Sequence, residues 1–211
     1  MIDVISNLNQ HLYHSEMEAL YRFRHWYFVD RLGWEDIRQE NGREVDQYDN
    51  ENAIHLARFD HGRPVSYTRL IPTDRPHLLS EVYPHLMDGR TYDTGPDIWE
   101  WTRFSVDPEY GNLSRFNEAT QTMFHAVAEY AVFAGIKHLI VETHPLYMSW
   151  LMEMGWDVKP ISDIKRIEGT KVVVFEATPT EGTIAVGSEM LDLSRSMLMF
   201  REDAKTFQKA S

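Results

Sequence analysis

The sequence predicts an α/β (α+β) fold, a three-layer arrangement in which a mixed, twisted sheet is covered by helices. The first observation behind this is element order. Helix, antiparallel strands, helix, strand, helix and strand follow one another, and the apolar period switches between helical and extended spacing at each step. The second is continuity: 211 residues pass without an internal repeat, a low-complexity tract or a linker, so 1–211 reads as a single domain. The third is composition, since 43% hydrophobic residues with six Trp can fill a core.

Taken in order, Ser15 to Arg31 carries Leu20, Phe23, Tyr27 and Phe28 at helical spacing, with Ser15 as its cap and Gly33 as its end. A polar loop, EDIRQENGREVDQYDNEN, separates it from two strands, AIHLARF and PVSYTRLIP, which DHGR joins as a hairpin. Pro72 to Pro96 is rich in Pro, His and Gly and reads as a loop holding a short helix at Leu78 to Met87. IWEWTRFSVD follows as a strand, with β-branched and aromatic residues at Ile98, Trp99, Trp101, Phe104 and Val106. Residues 114–134 place Phe116, Ala119, Met123, Val127, Tyr130 and Ala131 on one helical stripe, and Gly135 can cap it. HLIVET reads as a short buried strand, PLYMSWLMEMGW as a helix closed by Gly155, and TKVVVFEA as a final strand. The segment 178–211 is a C-terminal extension with a weaker pattern, in which SEMLDLSRSMLMF has the composition of a docking helix.

Composition also excludes classes of function. Zero Cys removes disulfides and thiolate chemistry, and the ten His are scattered without a metal-binding spacing, so no metal site is expected. A formal charge of −12 argues against nucleic-acid binding, and an anionic partner would need a local basic patch. No apolar run approaches the roughly 18 residues of a membrane span, so no membrane partner is expected. MIDVISNLNQHLY lacks a basic start followed by an apolar stretch, and a cytoplasmic location is expected.

The chemistry is concentrated in charges that the pattern does not explain. Glu100 and Arg103 lie in an otherwise apolar strand, where an ionised group is tolerated only when paired or used. An internal ion pair or a charged edge strand would account for them equally. GREVDQYD brings Glu44, Asp46 and Asp49 within six residues, which taken alone is also what a solvated acidic loop looks like. Arg24 and Arg69 flank that loop on a predicted helix and strand. Charges so distributed over regular elements are expensive unless they form a network.

The ordered set R24-x3-F28, W34, E44-x-D46-x-Y48-D49, R69-L70-x-P72-T73 and W99-E100-x-T102-R103-F104, running over residues 20–156, resembles the acyl-homoserine lactone synthases, the autoinducer synthases of bacterial quorum sensing. The resemblance implies the fold of the Gcn5-type N-acetyltransferases, splayed where an acyl chain enters. It also implies an acyltransferase that joins S-adenosylmethionine to a fatty-acyl thioester, closes the homoserine ring, and releases methylthioadenosine and the free thiol carrier. Both molecules are substrates, and no prosthetic group is implied.

Carried over residue by residue, the family's positions fall on Arg24, Phe28, Trp34, Asp46, Asp49, Arg69, Glu100, Thr102 and Arg103, and no charged position is missing. The implied catalytic set is Glu100, Arg103, Asp46 and Arg69, with Glu100 as general base for the substrate ammonium. Arg24, Asp46, Asp49 and Arg103 suit the charges of S-adenosylmethionine, and Trp34 and Phe28 suit its sulfonium or adenine face. Core packing explains Phe28 equally well. The segment HLIVETHPLYMSWLMEMGWDVKPI would line the acyl pocket, with Thr143, Tyr147, Met148, Trp150 and Leu151 as its contacts. Its bulky side chains, and a pattern like that of the branch using acyl-CoA with short, branched or aryl acyl groups, favour CoA over acyl-carrier protein as donor. Lys159, Lys165, Arg166 and Lys171 suit either carrier. DPEYGNLSR occupies the place of a phosphate-binding turn but lacks the R/Q-x-x-G-x-G/A pattern. That absence counts against the main alternative, an acyl-CoA-dependent N-acyltransferase acting on another amine. An inactive binding module is the second alternative, and the complete charged set counts against it.

Overall fold

Nine strands organise the described residues of the computed structural model, which are 1–110, 116–167 and 169–202. They are β1 (Ile2–Ile5), β2 (Ile54–Asp60), β3 (Arg63–Pro72), β4 (Ile98–Val106), β5 (His138–Thr143), β6 (Asp157–Pro160), β7 (Lys165–Ile167), β8 (Thr170–Thr178) and β9 (Leu198–Met199). The sheet runs β6-β8-β5-β4-β3-β2-β1-β9, with β7 on β8. All its pairs are antiparallel except β4–β5 and β1–β9. The expected hairpin is present: Asp60 pairs Arg63, and the two turn residues, His61 and Gly62, have φ of 48° and 80°, the left-handed pair that a tight hairpin of matching twist requires.

The pleat sends alternate residues to two helical layers. On one face, Ile2, Val4, Leu56, Leu70, Trp101, Leu139, Val141 and Phe175 form the main core with Met123, Phe124 and Val127 of α3 (Glu118–Ala134) and Leu151 of α4 (Leu146–Glu153). Ile184 of α5 (Glu181–Met190) packs against the same core. On the other face, α1 (His14–Arg24) buries Met17, Leu20 and Phe23 against Ile5, Ala57 and Tyr67. Beside it, Leu79 of α2 (Leu78–Glu81) joins Leu86, Met87, Ile98, Ile140 and Val174. Each fully buried aliphatic side chain of this kind contributes about 1.5–3 kcal/mol.

Several elements depart from the sequence reading. Ser15 does not cap α1: Tyr13 occupies that position without a side-chain cap, and Ser15 Oγ instead donates to Glu16 Oε2 at 2.8 Å. The helix continues to Arg31 as a π-helical segment, His25–Arg31, before Gly33 ends it at φ 78°. The short helix after Pro72 is split, because Pro84 lacks the N–H that would extend α2 and starts a separate 3₁₀ turn, Pro84–Met87. The extension from residue 178 holds α5, capped by Thr180, whose Oγ1 accepts from Thr183 N–H at 3.2 Å. SEMLDLSRSMLMF is therefore no single helix: Met190 ends α5, and Leu198–Met199 pair with β1 as an edge strand. Asn117 caps α3 by accepting from Thr120 N–H at 3.0 Å, whereas residues 114 and 115 and most of DPEYGNLSR lie outside the described residues. Among the described residues no helix is long and apolar enough to cross a membrane.

Candidate active site

A bulge in β4 creates the charged site. Tyr67 pairs Ser105 and Arg69 pairs Thr102, so β4 carries one residue more than β3 between these pairs. Arg103 takes up that difference at φ 56°. Regular alternation would send it to the face of Trp101; the bulge turns it to the face of Arg69 and Thr102, where two consecutive residues then project together. Arg24 arrives at the same place from the end of α1.

The acidic loop folds over these three arginines. Arg24 donates to Glu44 Oε2 at 2.6 Å and to Asp49 Oδ1 at 2.7 Å. Arg69 reaches Asp46 Oδ1 at 2.6 Å, Asp46 Oδ2 at 3.0 Å and Asp49 Oδ1 at 2.7 Å, while its Nε donates to Thr102 Oγ1 at 3.1 Å. Arg103 donates to Glu44 at 3.1 and 3.0 Å and to Asp46 Oδ2 at 2.9 Å. The loop fixes its own shape, since Tyr48 N–H donates to Asp46 Oδ1 and Asp46 N–H to Asp49 Oδ2, both at 2.9 Å. Three guanidinium and three carboxylate groups balance to zero charge. The solvated-loop reading is excluded for Glu44, Asp46 and Asp49.

Burial grades this lattice. The side chains of Arg24, Arg69 and Asp49 have no exposure, whereas Arg103 retains 7% and Asp46 16%. Burial pushes the Asp49 carboxyl upward, but Arg69 and Arg24 outweigh it and hold the group well below the usual carboxylate range. Burial likewise opposes ionisation of Glu44, and Arg103 and Arg24 bring it down to about 2. His55, buried beside the lattice, is pushed down to about 3 by burial and is therefore neutral; its Nδ1 lies 2.8 Å from Tyr67 Oη, to which Arg24 also donates at 3.4 Å. Phe28 is buried, as core packing requires, and its ring centroid lies 5.7 Å from Arg103 Cζ and 4.9 Å from the ring of Trp34. Trp34 is 42% exposed.

Glu100 shares the face but not the lattice. It is fully buried, and its Oε2 and Oε1 accept backbone N–H groups of Leu78 and Leu79 at 2.9 and 2.6 Å. β4 and β5 pair only from Ile98 to Glu100 and from His138 to Ile140, and beyond this they diverge. The opposite face at that split is aromatic. Phe104 lies 5.8 Å from Tyr147, Tyr147 4.9 Å from Trp150, and Trp150 stacks on Phe116 at 5.5 Å. Met148 packs, like these aromatic residues, against the main core, which contains Leu151; Thr143, at the end of β5, is half-buried. The proposed acyl-binding residues thus lie apart from the charged lattice, on the other side of the split.

Sequence reasoning assigned no role to Glu44, His55, Tyr67 or Glu142. Glu44 was visible inside the acidic loop, and Glu142 carries the same signal as Glu100, a carboxylate within an apolar strand. Of the four basic residues considered for the acyl carrier, Arg166 and Lys171 are cross-strand neighbours on β7 and β8, and three have partners of their own. Lys159 lies 3.6 Å from Glu176, Lys165 bonds Asp88 and the His85 carbonyl, and Arg166 donates to the Gly169 carbonyl at 3.2 Å.

Comparisons with known proteins agree with this geometry. Residues 8–182 match the family model described as autoinducer synthase. An isovaleryl-homoserine lactone synthase from Bradyrhizobium diazoefficiens is 33% identical over 195 residues, covering 92% of this chain and 83% of that protein. A solved CoA-dependent acyl-homoserine lactone synthase, BjaI, with SAM and isopentyl-CoA, superposes with a TM-score of 0.88 at 30% identity, over 100% of this chain and 99% of that one. An acyl-CoA N-acyltransferase from Pseudomonas aeruginosa shares the fold alone, at a TM-score of 0.56 and 14% identity over 83% of this chain and 97% of that one. Matched along most of its length in both sequence and structure, the chain belongs to the autoinducer synthase family of acyl-homoserine lactone synthases.

Proposed function

We propose that this chain makes an N-acyl-homoserine lactone from S-adenosylmethionine and a short acyl group carried on CoA. The observation that carries the reading is the graded lattice: its buried ion pairs hold Asp46 and Arg103 at the rim, with the Phe28 ring against Arg103 and Trp34 against Phe28. S-Adenosylmethionine presents an ammonium, a carboxylate and a sulfonium together. A carboxylate, a guanidinium and an aromatic wall are the partners those groups require. Arg24, Asp49, Arg69 and Thr102 act by fixing the two rim residues.

Glu100 takes a proton from the substrate ammonium, directly or through one water, an effect worth typically ~10²–10⁴-fold. The amine then attacks the thioester carbonyl, the carbon–sulfur bond breaks, and the thiol leaves with a proton. The substrate carboxylate next attacks the carbon bearing the sulfonium, closing the lactone and expelling neutral methylthioadenosine. The two substrates supply every reacting group. The acyl chain enters the split between β4 and β5 and meets Thr143, Tyr147, Met148 and Trp150, with Leu151 behind them.

CoA is favoured by two observations. The relatives that match most of the chain include an isovaleryl-homoserine lactone synthase and a CoA-dependent enzyme. In addition, Lys159 and Lys165 have acidic partners of their own, which weakens the docking face an acidic carrier protein would need. Purified protein given S-adenosylmethionine and matched acyl donors should release methylthioadenosine and lactone, identified by mass spectrometry. Acyl transfer to other amines without lactone would overturn the activity. A kcat/KM about tenfold higher on carrier protein would overturn the donor.

A further inference from the structure

The β4–β5 split holds a second carboxyl group. Glu100 pairs Ile140 in parallel register, and Glu142 lies two residues further along β5 on the same face. The β4–β5 pairing ends at Glu100 and Ile140, so Glu142 is the next residue on this face beyond the last pair. The Glu142 carboxyl lies within electrostatic reach of Glu100, and its Oε1 atom is buried without a hydrogen-bond partner among the described residues. Two carboxyl groups can share a hydrogen bond only if one of them carries a proton.

From this geometry we propose that Glu100 and Glu142 act as one proton-sharing pair, with the proton abstracted from the substrate ammonium taken up between them. The inference rests on the reading of Glu100 as base and makes Glu142 its positioning residue. Burial first, and the Glu100 charge second, push the Glu142 carboxyl well above the usual carboxylate range. The surroundings supply little to reverse this. From the segment after α2, Tyr83 and Tyr92 feel the charges of both carboxylates, and Tyr83 also feels Arg103; on β8, Val174 lies opposite Glu142, and Glu176, further along, is matched with Lys159.

The chemical consequence concerns base strength. An ordinary carboxylate is a weak base for an ammonium. Two carboxylates that cannot comfortably both ionise titrate in separated steps, and the upper step provides a stronger base. In balance, the pair without its proton takes one from the ammonium and becomes the singly protonated pair; the free amine forms the amide, and the pair later returns its proton to solvent.

The test compares pH profiles of wild type, Glu142→Gln and Glu100→Gln, with S-adenosylmethionine binding measured alongside. Gln keeps the size of Glu142 and can donate to Glu100 but cannot share a proton. Glu142→Gln should bind S-adenosylmethionine normally, lower kcat by about tenfold or more, and lose the rise in kcat through the upper titration of the pair. The substrate amine titrates in every variant, so the difference between profiles isolates the protein group. Infrared difference spectra of the wild type should show a protonated carboxyl band near neutral pH that Glu142→Gln lacks. Wild-type kcat and pH profile in Glu142→Gln, or no protonated carboxyl in the wild type, would overturn the pair. If Glu100→Gln also turns over normally, the base reading itself has failed; if Glu100→Gln alone is impaired, only the pair has.

Discussion

Arg69 and Asp46 meet through two parallel hydrogen bonds, Nη1 to Oδ1 at 2.6 Å and Nη2 to Oδ2 at 3.0 Å, with the arginine fully buried and the aspartate partly open to solvent. In the proposed function one end of this pair belongs to the framework and the other faces the substrate. Replacement should separate the two roles. Arg69→Ala leaves Asp46 and Asp49 without their buried partner and should lower the unfolding free energy by about 3–5 kcal/mol in urea titrations. Asp46→Asn should fold with a smaller loss and raise the KM for S-adenosylmethionine. An Arg69→Ala protein of wild-type stability would contradict the framework role.

Stability should fall in two stages as the medium is acidified. His55 has an ordinary value of 6.5 and is held near 3 by burial, so between these pH values the unfolded chain binds a proton that the folded chain refuses. Glu44 has an ordinary value of 4.5 and is held near 2, so its stabilisation is present above 4.5 and is lost as the pH falls toward 2, on the order of 3 kcal/mol in total. Glu142 works in the opposite direction, because its raised value makes stability fall as the pH rises above 4.5. Urea midpoints measured against pH should therefore pass through a maximum. His55→Gln should flatten the arm between 6.5 and 3, and an unchanged arm would refute the assignment.

Trp34 offers the cleanest probe of substrate recognition because it is 42% exposed and its removal disturbs little of the core. If its ring faces the sulfonium or adenine, Trp34→Ala should weaken binding of S-adenosylmethionine by about 2- to 30-fold, the equivalent of ~0.5–2 kcal/mol, with a small change in Tm. Trp34→Phe should recover part of the loss. Equal binding in all three proteins would remove Trp34 from the site.

Gly187 sets the distance between α5 and α3. A Cβ at this position would collide with Nδ1 of the buried His125 ring, so the two helices approach as closely as they do only because no side chain is present. Gly187→Ala should lower stability by about 1–3 kcal/mol through overpacking while leaving substrate KM unchanged. Thermal unfolding and steady-state kinetics together test this. A stability loss accompanied by a raised KM would tie α5 to the site instead.

The sequence pattern revealed the layers and the long elements because their burial is repetitive: the Met123, Val127 and Ala131 stripe and the VVVF run of β8 are periodic and strongly apolar. It missed β1, β6, β7 and β9, which are two to four residues long and take their form from neighbouring strands. It missed the start of α5 because Gly182 and Gly187 weaken the helical signal, while tertiary packing decides the outcome. The charged lattice was legible as residue types. Its grading by depth was not, since that depends on the β4 bulge at Arg103, and a left-handed arginine leaves no mark in the sequence. Glu142 was passed over although it carried the same signal as Glu100.

The aromatic wall makes a prediction about chain length. Trp150 stacks on Phe116 at 5.5 Å and touches Tyr147 at 4.9 Å, and in the proposed acyl path its indole would occupy space that a longer chain needs. Leu151, one residue on, is fully buried in the core, and its truncation would destabilise the protein before it informed on specificity. Trp150 is only half-buried, which makes it the better position to change. Trp150→Ala removes surface that contacts a short branched chain and opens volume for additional methylenes, each worth about 0.8 kcal/mol when buried. Two or three further carbons should therefore shift the preference by roughly fifteen- to sixtyfold toward the longer donor. The measurement is kcat/KM for an acyl-CoA series of increasing length in wild type and Trp150→Ala. A parallel fall across the whole series, with no change in preference, would show that Trp150 supports the fold and does not bound the acyl pocket.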